Sequence, residues 1–590
     1  MAVDSMCREK ILSEEYRDFI IRGVRTGFLE GIIGSAPCKL SVGEGYECLY
    51  LPDVVADPIT YERYSYNAVP QCYTLLGMEA LNQAGILLIQ NYPTLQLKGS
   101  GVMIGFVDTG IDYTGSVFRN LDGSTRIEAI WDQTATPGME NVERAGRGTD
   151  SVNPGREPAY GKVYDREDID RALRSEDPFS VVPTRDENGH GTYLASVACG
   201  NAPDERGAEN RSAGEFLGAA PESSIAVVKL KPAKQYLKDF YFIKEDAVCY
   251  QENDIMLGLK FLHDLALEKG MPIVYCLALG TSLGGHGGST PLPGLLNAYA
   301  RQNNQVAVVG AGNEAGQRHH YSGRISDLKE VQEVDIRVGE DCKGFTMELW
   351  SNLPNILSVG LTSPSGESTN PIFIRSNGNT VFQFLLDKTV LYLEYRITAE
   401  GTTSELISLR FQDPTPGIWK LQVQASQLGD GNYHIWLPVR EFLNTEVYFL
   451  ESDPNMTITS PGDARSAITV GYYNGTNQSI GVNSGRGFTR ENQIKPDLTA
   501  PGDSVQGIFP GDRLISQTGS SPSAAITSGA VALLLEWILE QLSVPSLDAA
   551  ELKSLLILGA DRKEGISYPS REWGYGTLNL ANVFLQIRKF

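Results

Sequence analysis

The sequence predicts an α/β fold with a parallel sheet, interrupted by an all-β insert and preceded by a small α+β region. Three observations carry this. From about Val69 to Gly323, apolar runs ending in Gly, Asp or Asn alternate with amphipathic helical stretches. Such alternation is the signature of parallel strands with helices on both faces. From about Arg324 to Glu451 the text becomes short alternating runs split by turn residues, without helical pattern, as in an antiparallel sandwich or jelly roll. Strand–helix alternation then resumes to the end of the chain.

Taken in order, residues 1–66 open with a helical pattern, ILSEEYRDFIIRGV, and continue in strand-like pieces such as CLYLP. In residues 67–323 the predicted strands are GVMIGFVDTG, SSIAVVKLK, PIVYCLAL and QVAVVGAGN. The predicted helices between them are GTYLASVACG, DIMLGLKFLHDLALEK and PLPGLLNAYARQN. Residues 324–451 supply the sandwich strands, among them FTMELWS, VLYLEYRIT, LISLRFQD and GIWKLQVQAS. Residues 452–590 hold SAITVGYYN, KPDLTAPG and a long helix beginning near Ser521.

Composition narrows the function. Of 590 residues, 41% are apolar and 21% charged, which excludes a disordered or fibrous chain. The net charge of −22 argues against nucleic acid and anionic lipid as partners. Eight scattered cysteines without a CxxC read as reduced thiols, with Cys199 and Cys276 in buried elements. The charged N-terminus lacks the apolar core of a secretory signal. AVALLLEWILEQL falls short of the roughly 20 residues of a membrane span and carries Glu536. A soluble protein without an export signal is expected.

Three residues sit where strands end or helices begin: Asp108 in IGFVDTGID, His190 in DENGHGTYLAS and Ser521 in SQTGSSPSAAITSGA. In an open α/β sheet such positions converge at the C-terminal edge. A serine hydroxyl needs an imidazole to take its proton as it attacks. The imidazole needs a carboxylate to fix its tautomer and stabilise the imidazolium. A helix beginning at the serine presents free N–H groups to a developing oxyanion. Asn313 in VVGAGNEAG adds a side-chain donor for the same oxyanion. Peptide-bond cleavage is therefore the expected chemistry.

IGFVDTGID, NGHGTYLAS, VVGAGNE, KPDLTAPG and TGSSPSAAITSGA resemble, in order, the sequence blocks of the subtilisin-like serine peptidases, the subtilase family. The resemblance implies a subtilisin-like three-layer fold. In it Asp108, His190 and Ser521 match the triad and Asn313 the oxyanion asparagine. The substrate wall, often Ser-Leu-Gly, reads Ala278-Leu279-Gly280, and the usual Ala-Ala-Pro-His after the nucleophile reads Ser523-Ala524-Ala525-Ile526. The wall keeps the backbone edge to which a peptide adds as a strand.

A narrower resemblance is to the Csp germination proteases of clostridial spores. It rests on VDTGIDYTGSVFRN followed by TRIEAIWDQT, on the insert before TSPGDARSAITVGYYN, and on the missing signal peptide. That resemblance implies a jelly-roll insert and a self-cleaved N-terminal prodomain that chaperones folding. It further implies a bacterial, cytoplasmic or spore-associated setting, and a spore-cortex hydrolase zymogen as substrate. YSYNAVPQCYTLL matches the mature N-terminal stretch, so self-cleavage is expected between about Tyr64 and Cys72, with the prosegment left in its own cleft. Two alternatives stand beside this: a pseudoprotease that keeps the fold for binding, and a general bacterial protease with other substrates. The insert is read as a packing module, against carbohydrate or partner binding.

No metal or cofactor is expected. His319 and His320 are adjacent and lack the spacing of a metal site, so a solvated or cleft role is assigned to them. His286 in GTSLGGHGGSTP is expected as a flexible cleft-rim residue, and His263 and His434 as helix-face and strand residues. The glycines around His286 lack the Lys-Ser/Thr ending of a phosphate-binding loop.

Overall fold

The computed structural model describes residues 5–22, 38–61, 63–75, 84–92, 95–135, 158–201, 216–369, 378–541 and 546–587. Its centre is an eight-stranded sheet. The strand order is Leu498–Pro501, Ile468–Tyr473, Gln305–Gly310, Ile273–Leu277, Met103–Asp108, Ser224–Lys229, Ile127–Asp132, Lys162–Asp165. Neighbours run parallel except at the last pair, where Lys162–Asp165 closes the edge antiparallel. Met103–Asp108, Ile273–Leu277 and Gln305–Gly310 are buried at every position. Burial on both faces is why their text is a continuous apolar run.

Helices cover both faces. His190–Cys199 and Ser520–Glu536 share one core with Val274, Val308 and Val470. Glu252–Lys269 and Pro291–Tyr299 pack on the other side with Val228, Tyr275 and Val309. The segment Ser520–Leu539 is long and apolar enough to cross a membrane, yet 89% of its apolar window lies inside the fold. Glu536 within it accepts the Lys98 and Gly99 amides at 2.8 and 2.6 Å, which explains a carboxylate in so apolar a helix.

From His320 to Phe449 the chain forms two antiparallel sheets, one of six strands and one of four. Phe345, Leu349, Val359, Phe411, Trp419 and Leu421 fill the core they share. Gly417–Gln427 alternates buried and outward positions along most of its length, the period-two pattern of a strand with one wet face.

The N-terminal region departs from expectation. The helix spans only Ser5–Leu12, and YRDFIIR is a strand, Tyr16–Arg22. It pairs antiparallel with Tyr46–Pro52, which also pairs with Cys38–Gly43. Phe19, Ile20 and Ile21 are all buried, and so short an apolar run has no periodicity to tell helix from strand. A second correction concerns the thiols. Cys7 and Cys38 form a disulfide with Cα atoms 5.2 Å apart, tying the helix to the sheet. Cys48, Cys72, Cys199, Cys249, Cys276 and Cys342 are free and buried.

Candidate active site

Asp108 is the last residue of its strand, mid-sheet between Ile273–Leu277 and Ser224–Lys229. The His190 helix and the Ser521 helix pack against each other and against this strand. His190 Nδ1 lies 2.8 Å from Asp108 Oδ1, which also accepts the Thr109 amide at 2.7 Å. With Nδ1–H given to the carboxylate, the ring is held in the tautomer whose basic nitrogen is Nε2. Asp108, His190 and Ser521 are 1%, 5% and 0% exposed, so charge here acts in a low-dielectric setting. Two neighbours keep their protons beside the carboxylate. Burial, reinforced by Asp108, raises the Tyr250 phenol, and burial pushes the Cys276 thiol up to about 12.

Local sequence explains these positions. Gly189 precedes the His190 helix at φ +90°, and a Cβ there would stand 2.3 Å from Phe509 Cζ. Only glycine meets both demands. The Gly191 amide donates to Thr109 Oγ1 at 2.8 Å, joining the helix start to the turn after Asp108. Asp186, which the sequence reading passed over, holds the same helix start. It accepts from Gly189 N at 2.7 Å, Thr192 N at 2.9 Å and Thr192 Oγ1 at 2.7 Å. A carboxylate a few residues ahead of a helical run is a readable capping signal.

Ser521 is the second residue of Ser520–Glu536, at the positive end of that helix. Its Oγ is buried without a hydrogen-bond partner among the described residues, and resting nucleophiles often have such loose geometry. Half-buried Asn313 accepts the Ser520 amide on Oδ1 at 3.0 Å. That bond orients the amide so that Nδ2 remains as the donor. Gly312 N donates to Ser520 Oγ at 3.1 Å, locking the two turns together.

Ala278 is buried, and Leu279–Gly280 forms a short strand. Cys72–Leu75 pairs with it antiparallel, Leu75 opposite Leu279 and Thr74 opposite Gly280. The other edge of Cys72–Leu75 pairs with Tyr250–Gln251, so the strand lies between two others.

The remaining histidines need correction. His286 is no flexible rim residue. It is buried, with its nitrogens 2.9 Å from Ile458 O and 3.0 Å from Ser282 O, and stacked 4.0 Å from the Trp436 ring. His319 and His320 are not solvated either. His319 pairs with Glu314 at 3.0 Å, and His320 lies 3.0 Å from Asp453 O with burial pushing it down to about 4. Among the described residues no three His, Cys, Asp or Glu side chains converge as metal ligands. His263 stacks on Tyr299 from its helix, and His434 lies in the strand Asn432–Trp436.

Residues 99–576 match the subtilase family, and the chain belongs to that family, a class of serine endopeptidases. Among solved structures it is similar to the Clostridium perfringens CspB protease, at 31% identity and TM-score 0.72, covering 86% of this chain and 99% of that one. Among curated proteins it is similar to the Arabidopsis thaliana subtilisin-like protease SBT3.6, 24% identical over 306 residues, 51% of this chain and 35% of the relative. Arabidopsis thaliana SBT2.2 is 30% identical over 134 residues, 23% of this chain and 15% of the relative. The match to SBT3.6 thus spans about a third of that relative's length.

Proposed function

We propose that this chain is a self-processing endopeptidase in which Ser521 is the nucleophile, His190 the general base and Asp108 its orienting carboxylate. Ser521 Oγ attacks the scissile carbonyl carbon as His190 Nε2 takes the hydroxyl proton. The Ser521 amide and Asn313 Nδ2 donate to the oxyanion. His190 returns the proton to the departing amine, leaving an acyl-enzyme that water hydrolyses by the same route reversed.

One observation carries the processing: Cys72–Leu75 lies on Leu279–Gly280 as an added strand, the way a substrate binds. In this reading residues 1 to about 76 are the prosegment, and the strand is its C-terminal end. The register moves the expected cut from 64–72 to the C-terminal side of Leu75. Residues 76–83, where it would then fall, lie outside the described residues. Likeness to the CspB protease, with the Csp resemblance of the sequence blocks, favours a jelly-roll insert and a spore-cortex hydrolase zymogen as substrate.

Intact mass of the wild type and of Ser521→Ala tests the assignment. The expected result is a wild type cut just beyond Leu75, a whole variant, and fluorophosphonate labelling of Ser521 alone. Two whole chains with no label would make this a binding protein on a protease fold.

A further inference from the structure

We propose that Glu252 is a substrate-binding residue whose carboxylate holds the main chain four positions upstream of Leu75, a proposal that rests on the reading of Cys72–Leu75 as a strand in the place of substrate. The ladder between that strand and Tyr250–Gln251 sets Tyr73 opposite Tyr250 and Cys72 opposite Gln251. The next rung falls on Gln71 and Glu252. Half of it is ordinary, with the Glu252 amide donating to Gln71 O at 2.9 Å. The other half is not. Glu252 opens the helix Glu252–Lys269, and its carbonyl is committed to the first helical turn. The ladder therefore offers the Gln71 amide no main-chain acceptor. The Glu252 side chain turns back and supplies one, with Oε2 3.3 Å from Gln71 N.

The carboxylate is held ready for this bond. Its other oxygen accepts the Leu292 amide at 3.0 Å, and Leu292 is the second residue of the helix Pro291–Tyr299. The group thus sits at the positive ends of two helices, its own and a neighbour's. Glu252 is 0% and Gln71 2% exposed, so water does not compete for the bond between them. Two acceptor oxygens answer two amides, whereas a glutamine would turn its NH₂ toward one of them.

A bond to the main chain reads no side chain, with one exception: proline has no N–H to give. The ligand of this subsite is therefore an extended polypeptide that reaches at least to the residue standing for Gln71 and carries anything but proline there. Leu279–Gly280 meets the chain at Leu75 and Thr74, and Tyr250–Gln251 meets it at Tyr73 and Cys72. Glu252 adds the rung beyond both. Recognition then extends well upstream of the cut, and short peptides should be poor substrates.

The test uses processed wild type, processed Glu252→Gln and three quenched fluorescent peptides. The first copies residues 69–81. The second carries an ester in place of the amide at residue 71, which removes that N–H. The third has proline at residue 71. For wild type, kcat/KM should fall by on the order of 10- to 10²-fold from the first peptide to the second, and at least as far for the third. Glu252→Gln should cleave the first peptide more slowly by a similar factor and should treat amide and ester alike. Equal cleavage of amide and ester by wild type overturns the proposal, whatever the variant does. A variant that slows on both peptides yet keeps the full ester penalty overturns it too, because Glu252 would then act on structure alone. A wild type that neither cuts itself nor hydrolyses the first peptide ends the processing reading, and this assignment falls with it.

Discussion

Asn313→Ala is the sharpest probe of the site. Asn313 accepts the Ser520 amide at 3.0 Å on Oδ1, and its other amide end is the only side-chain donor assigned to the oxyanion. Removing such a donor costs about 2.7–4 kcal/mol in the transition state, or 10²–10³ in kcat. The ground-state carbonyl gains little from it, so KM should barely move. The substitution also strips the Ser520 amide of its acceptor, worth about 0.5–1.5 kcal/mol of stability. Asn313→Asp separates the two effects, because it keeps the acceptor and lacks the donor. Its kcat should fall at least as far as that of Asn313→Ala, since a carboxylate repels an oxyanion. The assay is hydrolysis of a quenched fluorescent peptide spanning residues 72–81, with thermal unfolding measured in parallel. A kcat within about tenfold of wild type in both variants, with the loss in KM, would refute the oxyanion role.

Asp186→Asn should lower kcat by roughly 10- to 10²-fold by loosening the start of the His190 helix, with fluorophosphonate labelling slowed in step; labelling at the wild-type rate would leave Asp186 a purely structural cap. Glu405 is buried, accepts only the Leu357 amide at 2.9 Å among the described residues, and is pushed up to about 8 by burial. Its folded value exceeds its unfolded one, so the stability it contributes is present below about pH 4.5 and is lost as pH rises through 8. Glu405→Gln should therefore raise the melting temperature at pH 8 and leave it nearly unchanged at pH 4. Asp18 accepts from Lys234, from Gln251 at 2.6 Å and from Asn253 at 3.1 Å, all buried. Asp18→Asn leaves the buried Lys234 ammonium, which also donates to Tyr16 O at 3.1 Å, without its carboxylate partner and should weaken the hold on the N-terminal region by about 3–5 kcal/mol. Gel filtration after processing reads this as earlier loss of the N-terminal fragment.

The central sheet was legible because strands buried on both faces are written as unbroken apolar runs, as in Met103–Asp108. The sandwich was legible because its strands alternate. The placement of Asp108, His190 and Ser521 at the ends of elements was legible because glycine-flanked turns mark where elements end at a sheet edge. Tyr16–Arg22 was misread because four buried positions in seven carry no period. His286 was misread because its burial depends on Trp436 from a distant strand. Cys72–Leu75 found its partners about 180 and 200 residues downstream, and no local pattern records pairing at that range.

The contacts of the two-sheet insert favour the packing role over ligand binding. Glu348 lies on a sandwich strand and is fully buried. One of its oxygens accepts from Tyr66 Oη at 2.8 Å, Gly284 N at 3.0 Å and Trp350 Nε1 at 3.1 Å. Tyr66 precedes Cys72–Leu75, and Gly284 follows Leu279–Gly280. A single carboxylate on the insert thus fixes the approaches to both of these paired strands. Arg490 adds a second tie, donating to Gly285 O at 2.7 Å while its guanidinium lies 5.5 Å from the Trp350 ring. Trp436 closes a third by stacking on His286. A buried, multiply bonded carboxylate of this kind is a costly way to gain affinity but an effective way to fix one geometry. The insert, remote in sequence from Ser521, is built against the segments that flank Leu279–Gly280 and Cys72–Leu75.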